Sequence, residues 1–246
     1  MALWVGCATT STTAGDLDLA ETPEGNIQRG DDALKSKSYQ EAERYYEYVK
    51  GKYPFLEAAK VAELRIADTS FEREQFTESR DQYLNFVKLH PTHPRVDYAA
   101  YRAALTHYKD IPSEFFLLPP AEEKDQVEVK GALKSMNDFI RSYPQSTHVS
   151  DAQKVVDDCK RRLVAHEWYV ARFYAKREMW GAVAARLEGL ITDYAGAPLQ
   201  AEVAQMVEDV YVHLQTPQKA KDTLKRLVER FPGSPAAAAA QKLLGS

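Results

Sequence analysis

One residue pattern occurs five times along this chain and limits the folds that the chain can adopt. From each starting residue, a small or short side chain follows at +3, larger core-type side chains at +7 and +10, a ring at +14, and usually a proline at +15. Steps of three and four residues place these side chains on one face of a helix, and the proline stops that helix. The five copies span 39–54, 76–91, 129–144, 180–195 and 217–232.

A further helical segment precedes each copy, so the pattern predicts an all-α fold. We expect a solenoid of five helix pairs, followed by a short C-terminal capping helix from Pro235 onward. Repeat proteins of this class commonly bind other proteins on extended surfaces. The predicted helices are 23–36 with 39–52, 55–72 with 76–89, 96–109 with 127–141, 149–177 with the pattern copy that begins at 180, and 198–214 with 218–230.

The spacing of the pattern breaks twice. Successive pattern ends lie 37 residues apart between Pro54 and Pro91, but 53 apart between Pro91 and Pro144. The first long interval contains an inserted loop, 110–125, and the next contains one unbroken helix, 149–177, about 43 Å long. We therefore expect a tether over 1–21, repeats one to three over 22–144, and repeats four and five over 145–246.

The repeat resembles the tetratricopeptide repeat, and further details resemble one family that contains it. These details include His90-Pro91-Thr92-His93-Pro94 followed by Asp97-Tyr98, and Phe139 to Pro144 with Trp180 and Asp193-Tyr194. Together with the insertion and the long helix, they are similar to the BamD family of lipoproteins from the outer-membrane β-barrel assembly machine. Ala195 departs from that family, which often has proline there.

The resemblance implies a non-catalytic scaffold that is lipid-anchored at the periplasmic face of the outer membrane. Its implied partners are a BamA-type barrel insertase, bound through a POTRA domain, unfolded outer-membrane proteins and other assembly lipoproteins. Arg177 and Arg186 match family positions that contact the insertase, and Arg186→Glu is expected to weaken that contact without unfolding the protein. The alternative is another periplasmic tetratricopeptide lipoprotein that supports pilus secretin assembly or cell-wall synthesis.

Cys7 is the candidate site of lipid attachment. It follows the short apolar run Leu3 to Gly6 and precedes a small polar stretch, as the cysteine does at the end of a bacterial lipoprotein signal. Six residues are fewer than the roughly 15–30 of a signal peptide. An accidental Gly-Cys pair is the competing interpretation. Cys159 is expected to be a buried, unreactive thiol on a helix.

Aromatic residues concentrate in the first two repeats, where we predict a client-binding pocket. Tyr46, Tyr53, Phe76 and Tyr83 occupy the repeating frame and should pack in the core. Tyr45 and Tyr48 lie beside the frame, and Phe55 follows a proline, where its side chain either folds inward or stays exposed. These three are the candidates for client contact, since rings bind apolar strands with little loss of conformational entropy. In the insertion, Phe115 and Phe116 either pack back onto the solenoid or contact an incoming chain. Deleting 115–118 separates these alternatives.

Composition and motifs favour no enzymatic or nucleic-acid function. The 32 basic and 36 acidic residues give a net charge of 32 − 36 = −4, without the basic excess of nucleic-acid-binding proteins. His90 and His93 lie in a proline-bounded turn without a set of metal ligands around them. No phosphate-binding glycine loop or catalytic triad pattern is evident. We therefore predict no enzyme activity, no metal and no cofactor.

Overall fold

The structure, a computed structural model, describes residues 17–112 and 120–245. These residues form eleven α-helices and one short 3-10 helix, Ala121–Glu123. The prediction of an all-α fold of helix pairs with a closing helix is confirmed. The helices are α1 (Pro23–Lys35), α2 (Tyr39–Lys52), α3 (Glu57–Glu72), α4 (Phe76–Leu89), α5 (Val96–Lys109), α6 (Val127–Ser142), α7 (Val149–Ala175), α8 (Trp180–Asp193), α9 (Glu202–His213), α10 (Pro217–Arg230) and α11 (Pro235–Gly245).

The ring at +14 of each frame ends the second helix of its pair in the same way. Tyr53, His90, Tyr143, Tyr194 and Phe231 all have φ between −119° and −130° and ψ between 36° and 59°. Each backbone N–H donates to the carbonyl four residues earlier. The ring residue therefore leaves the helical conformation while keeping its last hydrogen bond, and the chain turns there into the next pair.

The turn inside four of the helix pairs has a second repeated conformation. Lys37, Glu74, Glu178 and Gln215 have φ between 55° and 62°. This left-handed conformation is the usual helix C-terminal turn, but it normally favours glycine. Its recurrence after α1, α3, α7 and α9 shows that the pairs share backbone geometry as well as side-chain pattern.

The chain forms two compact units, one ending at Pro91 and the other beginning at Thr92. The N-terminal unit holds α1 to α4, and the C-terminal unit holds α5 to α11. Within the C-terminal unit, α6 packs directly against α7 across residue 144. The compact units therefore divide at residue 91 rather than at the predicted boundary after 144. The proposed division of roles between the repeats before and after 144 stays a prediction.

Two helices begin later than the sequence pattern indicates. α3 begins at Glu57, because Leu56 has an extended backbone with φ −92° and ψ 156°. α9 begins at Glu202, because Gly196 turns the chain with φ +80° and Leu199 is buried before the helix starts. The long helix α7 is 27 residues and about 40 Å long. Within the described ranges, no helix is long and apolar enough to cross a membrane.

Gly30 marks the close approach of the two helices in the first pair. A Cβ atom at Gly30 would lie 2.5 Å from Cε1 of Tyr46, a side chain that is fully buried. The corresponding residues of later pairs, Ala67 and Ala171, are also fully buried. The first helix of these three pairs therefore has a small residue where the second helix packs closely, whereas the fifth pair has half-buried Glu208 at this position.

Gly30→Ala should therefore destabilise the protein by about 1–3 kcal/mol, since overpacking displaces Tyr46 and outweighs the helix propensity that alanine adds. Gly189→Ala is the matched control, because a Cβ there meets nothing within 4 Å. It should stabilise α8 by about 0.5–1 kcal/mol. Urea unfolding of both variants measures the two effects. Equal signs for the two substitutions would contradict the packing explanation.

Candidate protein-binding surfaces

The three residues predicted to contact clients differ widely in exposure. Tyr45 is buried, and Tyr48 is half-buried with its ring edge-on to Tyr53 at 6.4 Å between centroids. Phe55 is 98% exposed, and its neighbour Leu56 is 49% exposed. Both lie in the turn before α3. Of the three predicted residues, Phe55 is thus the most accessible, and Leu56 beside it adds apolar area.

Tyr45, which was predicted to be available for client contact, is buried instead. Its hydroxyl donates to the carbonyl of Asp18 at 3.1 Å, so the segment before α1 crosses this flank of α2. Asn26, also buried, holds the same segment through hydrogen bonds with both the N–H and the carbonyl of Ala20. Burial of Tyr45 depends on a chain segment outside the repeats, which the repeating pattern does not describe.

A buried polar network lies beside the frame tyrosines of the N-terminal unit. Arg65 Nε is 2.9 Å from a carboxylate oxygen of Asp31, and Arg65 Nη1 is 3.2 Å from one of Asp68. The hydroxyls of Tyr46 and Tyr83 donate to Asp31 and Asp68 respectively. Burial, and then the bond to Asp31, raise the pKa of Tyr46 well above its usual value. Tyr46 and Tyr83 are fully buried as predicted, and their hydroxyls are bonded internally, whereas Tyr53 and Phe76 are only half-buried.

Arg186 is engaged within the protein. Its Nη1 lies 3.1 Å from Glu167, whose side chain is only 11% exposed on α7. The Arg186 side chain is itself 42% exposed. Burial, and then the charge of Glu167, raise the pKa of the nearby Tyr194 to about 12. Arg186 therefore neutralises a buried carboxylate, while part of its side chain remains exposed to solvent.

Arg177 has a different setting in the turn between α7 and α8. It is exposed, and its guanidinium lies over the ring of Phe173, 3.5 Å from the centroid. Its Nη1 also donates to the Phe173 carbonyl at 3.1 Å. Phe173 and Met179 are themselves exposed. A cation and two apolar side chains are thus available to a partner at this turn.

Asp97 and Tyr98, which follow the family-like segment His90 to Pro94, have a structural role within the C-terminal unit. Asp97 accepts a 2.6 Å hydrogen bond from Ser146 in the turn before α7. His148 stacks on Tyr101 at 4.7 Å between centroids and lies against Tyr98 at 5.8 Å. These contacts fix the start of α5 against the turn between α6 and α7. In the sequence, Asp97 and Tyr98 indicate the family, but they do not predict this packing.

A groove runs along one face of α7 from Arg161 to Arg172. It joins a cavity of about 560 Å³ to one of about 250 Å³, and both cavities are lined by Glu122, Arg161 and Ala165. Its floor includes the buried Val164, Leu199 and Val203 beside Trp168. Four cations and two carboxylates line the two cavities, namely Lys124, Arg161, Arg162 and Arg172 with Glu122 and Asp125. The repeating pattern does not predict this groove, because its walls combine α7 with the 3-10 helix, the segment before α9 and the start of α11.

Some predicted residues lie outside the described ranges. These are Cys7, Phe115 and Phe116. Cys159 is buried on α7 as predicted, and burial raises the pKa of its thiol to about 12. Among residues 17–112 and 120–245, no cluster of three histidine, cysteine or carboxylate side chains could hold a metal ion.

Comparison with known proteins decides the family. A family model described as "YfiO: Outer membrane lipoprotein" matches residues 20–227. The chain belongs to the YfiO family of outer membrane lipoproteins. The matched residues run from before α1 into α10.

Similar proteins of this family are described as outer membrane protein assembly factor BamD. One from Neisseria gonorrhoeae is 27% identical over 93% of this chain and 87% of its own length. Another from Haemophilus influenzae is 26% identical over 91% of this chain and 85% of its own length. The predicted resemblance to the BamD family is thereby confirmed, and the description names an assembly factor, not an enzyme.

A solved thermophilic TPR protein of Thermus thermophilus covers 91% of this chain and 100% of its own, at 14% identity with a TM-score of 0.36. A score this low adds nothing to the fold assignment. The fold rests on the helices and caps described above.

Proposed function

We propose that this chain is a lipid-anchored scaffold at the periplasmic face of the outer membrane, where it joins a BamA-type insertase to unfolded outer-membrane proteins. The supporting observation is the family match over 20–227, with relatives described as outer membrane protein assembly factors. Family membership implies the Bam complex. The insertase contact through a POTRA domain, the client contact and the accessory lipoproteins are the proposed part.

The turn between α7 and α8 is the proposed insertase contact. It presents Arg177 on Phe173, and Arg186 lies on the adjacent helix α8 with part of its side chain in solvent. A planar guanidinium is suited to paired hydrogen bonds with a carboxylate on the partner. Arg177 is the better probe of this surface, because its exposed side chain pairs with no buried acid among the described residues.

The turn before α3 is the proposed client contact in the N-terminal unit. Phe55 and Leu56 are exposed there, with half-buried Tyr48 at the end of α2. An exposed ring next to an aliphatic side chain offers apolar area to an unfolded chain. Tyr45 is left out of this contact because it is buried.

Affinity purification from detergent-solubilised outer membranes tests the proposed function. Recovery of an integral barrel protein with POTRA domains is the expected result, and Arg177→Glu should reduce that recovery. Phe55→Ser should leave the insertase in place and reduce capture of urea-unfolded barrel proteins. Recovery of secretin or cell-wall enzymes without any POTRA-containing barrel would contradict the proposal and favour the alternative function.

The proposed anchor is a lipid on Cys7. Expressed behind a complete lipoprotein signal peptide, the chain should incorporate radiolabelled palmitate and fractionate with the outer membrane. Cys7→Ser should remove both properties, whereas Cys159→Ser should remove neither, because Cys159 is buried. Palmitate on the Cys7→Ser variant would exclude this anchor.

A further inference from the structure

The groove along α7 has the dimensions of a binding site for an extended peptide. From Arg161 to Arg172 the helix rises about 17 Å, which equals about five residues of extended chain. The cavity of about 560 Å³ at its wider end lies in the size range of specific binding pockets. All its lining residues belong to the C-terminal unit.

The chemistry of the groove is amphipathic. Buried Val164, Leu199 and Val203 make an apolar floor, and Trp168 adds a ring to it. Arg161 and Arg172 are exposed on α7 at the two ends of this floor. The ligand should therefore have apolar side chains on one face and carboxylates beside them.

The local charge favours an acidic ligand. Four cations and two carboxylates line the groove, and Asp158 pairs with two of those cations, which leaves one positive charge in excess although the protein as a whole has a net charge of −4. Arg161 and Arg162 share Asp158 as their ion-pair partner. Arg172 makes no ion pair with any residue that the structure describes. It is therefore the cation that a carboxylate of the ligand can reach without displacing an internal partner.

We propose that this groove binds an extended segment of an unfolded outer-membrane client, in which apolar residues alternate with polar and acidic ones. Strands of outer-membrane barrels have this alternation, since one face meets lipid and the other meets the lumen. In an extended chain, residues i, i+2 and i+4 share one face, so three apolar side chains reach the floor while neighbouring acids meet the arginines. This inference rests on the proposed function and adds a second client site, far along the chain from Phe55.

Fluorescence anisotropy with labelled ten-residue peptides tests the groove directly. The first peptide alternates leucine or phenylalanine with glutamate and serine. The second contains the same residues grouped into an apolar half and a polar half. The third is the alternating peptide with lysine in place of glutamate. The alternating acidic peptide should bind the full chain best. Arg172→Glu should weaken that binding at least about five-fold, because it turns an attraction into a repulsion. The same variant should bind the lysine peptide more tightly than the unmodified protein does.

Arg141→Glu is the matched control, since Arg141 is an exposed arginine of the same unit that does not line the groove. It should leave the affinity within about two-fold, as expected for a distant surface charge. Equal losses in the Arg141→Glu and Arg172→Glu variants, or equal binding of all three peptides, would overturn the proposal. Binding that appears only after residues 113–119 are replaced by a glycine-serine linker would also overturn the proposal, because segment 113–119 would then be the ligand of the groove.

A urea-unfolded barrel protein, diluted into buffer with the full chain, separates this inference from the function on which it rests. If the unmodified protein does not bind this client, the proposed function fails. If it binds the client and Arg172→Glu binds equally well, only the groove assignment fails. A loss confined to Arg172→Glu, with Arg141→Glu unchanged, supports both.

Discussion

Arg65→Met is expected to lower the free energy of unfolding by about 3–5 kcal/mol, because it leaves two largely buried carboxylates without their cation. The side chains of Asp31 and Asp68 are 19% and 6% exposed, and Arg65 is close to both of them. Methionine keeps much of the packing volume of the arginine stem, so the loss reports mainly the missing charge. Urea unfolding followed by circular dichroism measures it.

Two further variants isolate the cause of this loss. Arg73→Met removes an arginine that pairs with Glu43 on the surface of the same unit, and should cost less than about 1 kcal/mol. Adding Asp31→Asn and Asp68→Asn to Arg65→Met should recover part of the loss, because no unpaired buried charge remains. If the triple variant is no more stable than Arg65→Met, the loss comes from packing instead.

Arg186→Glu is expected to destabilise the protein by about 2–3 kcal/mol, because it places a second carboxylate beside buried Glu167. The value is smaller than for Arg65, since the Arg186 side chain is 42% exposed and water screens it. This result would differ from the expectation based on the family resemblance, in which the substitution leaves the fold intact. The ion pair with Glu167 is the reason for the difference.

Arg177→Glu is the matched comparison for this prediction, and it should change stability by less than about 1 kcal/mol, as for other exposed charges. Thermal unfolding of the two variants, together with insertase recovery, separates stability from binding. Arg186→Glu should lower both quantities, whereas Arg177→Glu should lower recovery alone. Unchanged stability in Arg186→Glu would show that the pair with Glu167 contributes nothing to folding.

The sequence predicted the helices well because the repeating frame contains its own stop signals. α2, α4 and α5 begin and end at the predicted residues, and α7 is two residues shorter than expected. The rings at +14 and the prolines after them fix the ends of α2 and α4 through local backbone preferences. α9 begins four residues late because Leu199 packs in the core before the helix starts, a tertiary effect that local patterns do not contain.

The binding surfaces were harder to predict because they depend on contacts between distant segments. Tyr45 lies beside the frame as expected, but residues before α1 cover it. Arg186 lies at the edge of its helix face as expected, but Glu167, nineteen residues earlier, occupies part of it. Residue type and helical phase give the direction of a side chain. They do not identify the distant residues that contact that side chain in the folded protein.

The end of α8 depends on a residue of the last repeat. Arg230, at the end of α10, donates from its side chain to the carbonyls of Ile191 and Thr192, and its own carbonyl accepts from the Gly196 N–H. Carbonyls at a helix end that lose such donors are left to water. A truncation that removes the fifth repeat, including Arg230, would therefore also destabilise the end of α8 in the fourth repeat. These two repeats should unfold as one cooperative block, so shortened versions of the protein should end after α11 or before α7.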